Sequence, residues 1–324
     1  MLRLGRTWRV DVCFVLVFLG LFSVPALSQQ LPVLLIYGFQ PLAGFRPTQL
    51  WEDFAEHLSG SNVLDAETIT LSGDHEFYYL PAADAERRDV FMSHFVMPYE
   101  PTIRDIFFYT RRLADEIGFM KSELGVLKID VVGHSVGGLL ARTYAEIDDF
   151  ADMFGAEDFK DYSIVYGGEI STLITLATPN HGTGIATLGE LFGTLSRQLA
   201  PGSDYLRLLN AVHWISGRLH SLNPSVRYIS MAGQTCLGCG LRSDQESCLR
   251  SCIDEGLSWN GSDLVTMMAS AYLPEANNCA LIGFDHVRSR SDLAVASAIE
   301  QILNGERVPA TIYAPELQEY QPTP

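Results

Sequence analysis

Lysine is almost missing from this chain: Lys121, Lys128 and Lys160 are the only three among 22 cationic side chains, which face 39 acidic ones. Tight phosphate binding needs clustered Lys and Arg, so a net charge of −17 excludes a nucleic acid as partner. Charge is scarce in general, 19% of residues against 47% hydrophobic, which excludes disorder for most of the chain and leaves ample material for a core. A membrane-spanning run is short as well. The apolar stretch from Val12 to Val24 has 13 residues, fewer than the ~20 that a spanning helix needs. With Arg3, Arg6 and Arg9 before it and the small residues Ala26 and Ser28 after it, the stretch is expected to be a signal peptide, residues 1–28, cleaved after Ser28. Its removal takes three Arg and one Asp, moving the net charge from −17 to −19. The mature chain is expected to be secreted or periplasmic, with an uncleaved N-terminal membrane anchor as the alternative.

What is there, past the signal, is an alternation of short β-branched runs with helical patterns and no internal repeat. Such alternation predicts a mostly parallel sheet with helices on both faces, one α/β domain over residues 29–310. Val33 to Tyr37, five apolar residues in succession, suits a strand covered from both sides. Further strands are expected at Phe91 to Phe95, Ile129 to Val132, Leu173 to Leu176, Val226 to Met231 and Ala280 to Phe284. Ile106, Tyr109, Leu113, Ile117, Met120 and Leu124 recur at helical spacing and predict a helix over Ile103 to Leu124, with Thr102 and Asp105 as a capping box. Residues 185–222 resemble an insertion, with a helix expected from Asp204 to His220. The segment 311–324, with its prolines, is expected to be an unstructured polar tail.

Gly133-His134-Ser135-Val136-Gly137 stands between the strand ending at Val132 and a good helix start at Gly138-Leu139-Leu140-Ala141-Arg142. A turn that sharp strains the serine and leaves no room for side chains beside it, which explains the glycines. Ser135 is thereby aimed out at the carboxyl end of the sheet, near a helix N-terminus that favours negative charge. Acyl transfer also needs donors for an oxyanion. The backbone N–H of Val136 is one candidate, and that of Phe39, after the turn at Gly38, is the other. A base must follow the nucleophile. Of His181, His213, His220 and His286, only His286 comes directly after a late strand. For the acid, Asp244, Asp254 and Asp263 are all in order, and Asp263 is favoured because Asn260 to Val265 is a turn. Ser135, Asp263 and His286 thus form an expected nucleophile, acid and base that need no cofactor and no metal.

Cys236, Cys239, Cys248 and Cys252 form a local cluster in an insertion at about residues 236–252. Their spacing suits zinc, but export favours two local disulfides, leaving Cys279 as a buried free thiol.

These segments resemble the extracellular triacylglycerol lipases and related esterases of the α/β-hydrolase superfamily. Pro32 to Phe39 is similar to the oxyanion strand, with Tyr37 where the family usually has His. Ile129 to Arg142 resembles the nucleophile elbow, and Ala177 to Thr183 the Thr-Pro-His-x-Gly-Thr stretch. Gln198 to Leu206 with Leu209-Asn210 resembles the approach to a lid, and Ser262 to Val265 the acid turn. The resemblance implies an α/β-hydrolase fold with an inserted lid over about residues 185–222. Leu206, Leu209 and Trp214 would face substrate, and Pro201-Gly202 would act as hinge. It also implies a secreted ester hydrolase acting on lipid or other carboxylic esters. An acyltransferase of the same fold and a catalytically silent module that binds lipid or a partner are the alternatives.

Overall fold

The computed structural model describes residues 30–38, 47–72, 75–93, 105–146, 164, 166–184, 193–211, 213–215, 218–220, 222–235, 262–315 and 317. The expected signal peptide, Phe39, Asp244, Asp254 and the four clustered cysteines lie outside them. So does the Trp214 side chain.

Strand β1 (Val33–Ile36) shows how the sequence builds two layers from one sheet. Successive side chains point to opposite faces. Leu34 and Ile36 enter a core cluster with Leu113, Ile117 and Leu140, while Val33 and Leu35 join Phe54, Leu58, Val295 and Ile299 on the other face. All four β1 residues are fully buried, as the continuous apolar run predicts. Each such side chain contributes roughly 1.5–3 kcal/mol on burial.

The remaining strands are β2 (Glu67–Ser72), β3 (His75–Leu80), β4 (Val90–Ser93), β5 (Ile129–His134), β6 (Ile170–Leu176), β7 (His213–Ile215), β8 (Arg218–His220), β9 (Arg227–Gln234), β10 (Asn277–Ile282) and β11 (Thr311–Tyr313). Among the described residues, β1 and eight of these form one sheet in the order β11-β10-β9-β6-β5-β1-β4-β3-β2. From β11 to β4 all neighbours are parallel, and β3 and β2 close the far edge antiparallel. The helices are α1 (Pro47–Leu50), α2 (Glu52–Ser59), α3 (Ile106–Leu124), α4 (Val136–Ala145), α5 (Gly193–Leu199), α6 (Asp204–Leu209), α7 (Met268–Ala271) and α8 (Leu293–Leu303). Helices α3 and α4 cover one face of the sheet, α2 and α8 the other. Because the central strands are parallel, the loops after β1, β5, β6, β9 and β10 all emerge at one end.

Four local expectations change. Helix α3 begins at Ile106, because Asp105 is itself the cap and its carboxylate accepts from the Phe108 N–H at 2.9 Å. Strand β10 ends at Ile282, since Gly283 turns the chain at φ 88°. The expected helix from Asp204 to His220 is α6 alone, ending at Leu209. There the Asn210 amide caps the Leu206 carbonyl at 2.9 Å, and the β-prone residues that follow form the antiparallel β7–β8 hairpin. The expected tail does not start at residue 311: β11 pairs with β10 at the sheet edge, and Ala314 and Leu317 are buried on it. Leu317 sits over Gly283, where an added Cβ would come within 2.7 Å of its Cδ1.

At the amino end of the sheet, opposite the loops above, a cavity of about 550 Å³ is lined by Arg88, Asp130, Arg227 and Asn304. Its arginines have a structural duty there. Arg88 donates to Asp130 at 2.9 Å and to the Leu303 carbonyl at 2.8 Å, and Arg227 donates to the Ile302 carbonyl at 3.0 Å, so together they cap the end of α8.

Candidate active site

Ser135 joins β5 to α4 at φ 54° and ψ −127°, a conformation rare for any residue but glycine. Such backbone strain costs on the order of 1–3 kcal/mol and persists only where the surroundings enforce it. The surroundings here are tight. A Cβ on Gly133 would lie 2.5 Å from Gly138 Cα, one on Gly137 would lie 2.4 Å from the Ile36 carbonyl oxygen, and one on Gly138 would lie 2.1 Å from Thr178 Oγ1. The glycines of the elbow are therefore required by packing against β1 and the loop after β6. Val136 opens α4, and its N–H, among the first in the helix, has no intrahelical acceptor to serve.

The turn after β1 runs close beside the serine. A Cβ on Gly38 would stand 2.5 Å from Ser135 Cβ and 3.1 Å from Ser135 Oγ. Only glycine lets this backbone run alongside the hydroxyl.

Asp263 and His286 come from the loops after β9 and β10, adjacent strands, and meet at this same end. His286 Nδ1 lies 2.8 Å from Asp263 Oδ2, and the His286 N–H donates to the Asp263 carbonyl at 3.0 Å. Asp263 is fully buried. Its other oxygen, Oδ1, accepts from the N–H groups of Val265 at 2.9 Å and Thr266 at 2.6 Å. That turn holds Leu264 at φ 81°, so strain gathers at the acid as it does at the serine. A Cβ on Gly233 would come within 2.9 Å of Asp263 Cβ, which fixes how the turn sits on β9.

His181, also in order to serve as base, is exposed and bonded through Nε2 to the Tyr272 carbonyl at 3.0 Å. Leu206 and Leu209, expected to face substrate, are instead 2% and 0% exposed and belong to the core behind α4. Tyr205 Oη meets Thr143 Oγ1 at 2.8 Å, and the buried Arg142 guanidinium donates to the Leu209 carbonyl and to Asn180 Oδ1, each at 3.1 Å. Helix α6 is thus pinned to the nucleophile helix.

One residue at the site goes unread in the sequence. His134, between Gly133 and Ser135, is buried, and its Nε2 lies 2.7 Å from the His286 carbonyl oxygen. The same oxygen accepts from Ser289 Oγ at 3.0 Å. The signal for His134 is a polar residue closing a strand that is buried at every position.

Residues 74–193 match the model of a family described as "Putative serine esterase (DUF676)", a stretch that includes the elbow. By structure the chain resembles the mature form of the Bacillus licheniformis lipase BlEst2, at 16% identity over 85% of this chain and 93% of the lipase, with a TM-score of 0.52. The propeptide form of that lipase is matched at 16% identity over 87% of this chain and 52% of its own length, with a TM-score of 0.54. The phospholipase PlaB from Legionella pneumophila is matched at 15% identity over 84% of this chain and 59% of its own, with a TM-score of 0.52. In those last two cases the chain spans little more than half of the similar protein. No curated protein matches by sequence. The likenesses and the sheet order together show the α/β-hydrolase fold, with a lipase and a phospholipase as structural neighbours.

Proposed function

We propose that the chain hydrolyses carboxylic esters through an acyl-enzyme on Ser135. The observation that carries this is the Asp263–His286 hydrogen bond of 2.8 Å, presented on neighbouring strands beside a strained serine elbow. In the reaction Ser135 Oγ attacks the ester carbonyl as its proton passes to His286 Nε2, and the alcohol leaves with that proton. Water then repeats the sequence and releases the acid. Ser135 Oγ and His286 Nε2 close to hydrogen-bond distance when substrate fills the site. Val136 N–H stabilises the oxyanion from the helix N-terminus, and the N–H of Phe39 is the proposed second donor. Lipid esters are the proposed substrate class, in keeping with a lipase and a phospholipase among the neighbours in fold. We further propose that residues 1–28 export the chain and that the four clustered cysteines are oxidised there.

Labelling tests the reading directly. A fluorophosphonate should modify Ser135 and no other residue, and the labelled protein should lose hydrolysis of p-nitrophenyl esters in step. Absence of labelling in folded protein would refute the assignment. Gly38→Ala probes the geometry independently. With its new Cβ 2.5 Å from Ser135 Cβ, one of the two must shift, and a displacement near 1 Å at the reacting atoms costs on the order of 10²-fold in turnover. Turnover of Gly38→Ala equal to wild type would mean that this approach has no bearing on the nucleophile.

A further inference from the structure

His134 is aimed at the base rather than at solvent or substrate. A carbonyl oxygen can only accept, so at 2.7 Å from the His286 carbonyl the His134 Nε2 must carry the proton. In the neutral ring Nδ1 is then an acceptor, and it is buried with no hydrogen-bond partner. Against the ring stands Trp51, fully buried, whose Nε1–H is likewise buried without a partner. The two rings meet edge to face, with centroids 6.4 Å apart and planes at 89°. An unmet donor and an unmet acceptor on adjoining rings are complementary. The His134 ring also lies 4.7 Å from that of His286 and stacks on Tyr37 at 5.6 Å, while the Arg290 guanidinium covers the Tyr37 ring at 4.9 Å.

We propose that His134 is a positioning residue for the His286 imidazole, a neutral ring backed edge to face by Trp51 that holds the His286 carbonyl and so fixes where the base stands over Ser135. The inference rests on the esterase reading, in which His286 is the base. Asp263 sets the tautomer and ring orientation of His286 from one side, and His134 anchors its backbone to the nucleophile strand from the other. Neutrality is part of the role. As His286 takes the serine proton it becomes a cation, and a charged ring 4.7 Å away would oppose that step. Burial, followed by the charges of His286 and Arg290, holds His134 well below the ordinary histidine range. Among the described residues, those two groups from the segment after β10, with Tyr37 just after β1, are the titratable or charged groups that face it.

Three substitutions and nitrogen-15 spectra test this. In His134→Leu the anchor is gone, and kcat should fall on the order of 10²-fold with KM little changed. His134→Gln, which can offer a side-chain N–H to the same carbonyl, should keep more than about a tenth of the activity. In nitrogen-15 spectra of the wild type, His134 should remain a neutral imidazole with its proton on Nε2 below the ordinary histidine value of about 6.5. Trp51→Phe should shift its Nδ1 resonance. The proton found on Nδ1, a cationic ring at about pH 6, or a folded His134→Leu with wild-type kcat would each overturn the proposal. Should His134→Leu fail to fold, the Gln variant and the spectra still decide. Wild-type protein that a fluorophosphonate does not label overturns the esterase reading itself. Labelled wild type with an unimpaired, folded Leu variant overturns this inference alone.

Discussion

Ser135→Ala should lower ester hydrolysis by about 10⁶-fold, the cost expected when a triad serine is lost, and leave the melting temperature at or slightly above that of the wild type. Both halves follow from the elbow. The strain at φ 54° belongs to the backbone and is enforced by the tight packing at Gly133, Gly137 and Gly138, where an added Cβ would come within 3 Å of a neighbouring atom. Alanine has the same Cβ and bears the same strain, so the fold is unaffected by the change. What disappears is the hydroxyl that the elbow presents. Burst kinetics with p-nitrophenyl esters of several chain lengths, beside thermal unfolding of both proteins, measure the two effects. Activity within ~10-fold of wild type would exclude Ser135. A collapse of the melting temperature would show that the hydroxyl is structural.

The parts of this fold that could be read in the sequence are those where one local signal suffices. The apolar runs of β1, β5 and β6 sit in the sheet centre, covered on both faces, so composition alone marks them as strands. The elbow is a five-residue motif whose flanks supply its context. The unread parts depend on contacts between distant segments. Strand β2 is largely exposed along its length and is a strand because β3 pairs with it. The β7–β8 hairpin has apolar residues at a spacing that also suits a helix, and the cap at Asn210 decides between the two. Strand β11 has three residues and would not stand alone; β10 offers it an open edge. Helix α8 is a different case. Its buried residues Val295, Ala296, Ile299 and Ile302 follow helical spacing, and Asp292 caps it at the Ala294 N–H, 2.9 Å away. That pattern lies in the sequence unused.

At the site the same division holds. Order along the chain and position after a strand select His286, because parallel strands deliver their following loops to one end; they leave Asp244, Asp254 and Asp263 unseparated, and the turn at Asn260 to Val265 is what favours Asp263, which lies 2.8 Å from His286. Leu206 and Leu209 were misjudged because a run of leucines does not say which side it packs on, and Arg142, buried behind the nucleophile, holds their helix against the core. His134 was missed because its partner lies 152 residues away, and nothing local marks a histidine as the support of another.

Asp263→Asn is expected to cost about 10⁴-fold in kcat/KM with the fold intact, and the reason lies in how the two carboxylate oxygens are employed. Oδ1 accepts two backbone N–H bonds, from Val265 and Thr266. An asparagine at this position must place its carbonyl oxygen there, because its amide group would face two donors with nothing to accept them. The amide nitrogen then occupies the Oδ2 position, 2.8 Å from His286 Nδ1. It donates a proton, so Nδ1 has to accept, and the single proton of the neutral imidazole moves to Nε2. A protonated Nε2 cannot take the proton of Ser135, and the base is disabled by its tautomer rather than by displacement. His286→Ala removes the base outright and should match Ser135→Ala, since residues that act as one unit lose activity together. Asp244→Asn and Asp254→Asn should keep near-wild-type rates. Steady-state kinetics on the four variants give the ranking, and nitrogen-15 spectra of Asp263→Asn should show the His286 proton on Nε2. A larger loss at Asp244 or Asp254 than at Asp263 would move the acid elsewhere, and Asp263→Asn within ~10-fold of wild type would remove it from the mechanism.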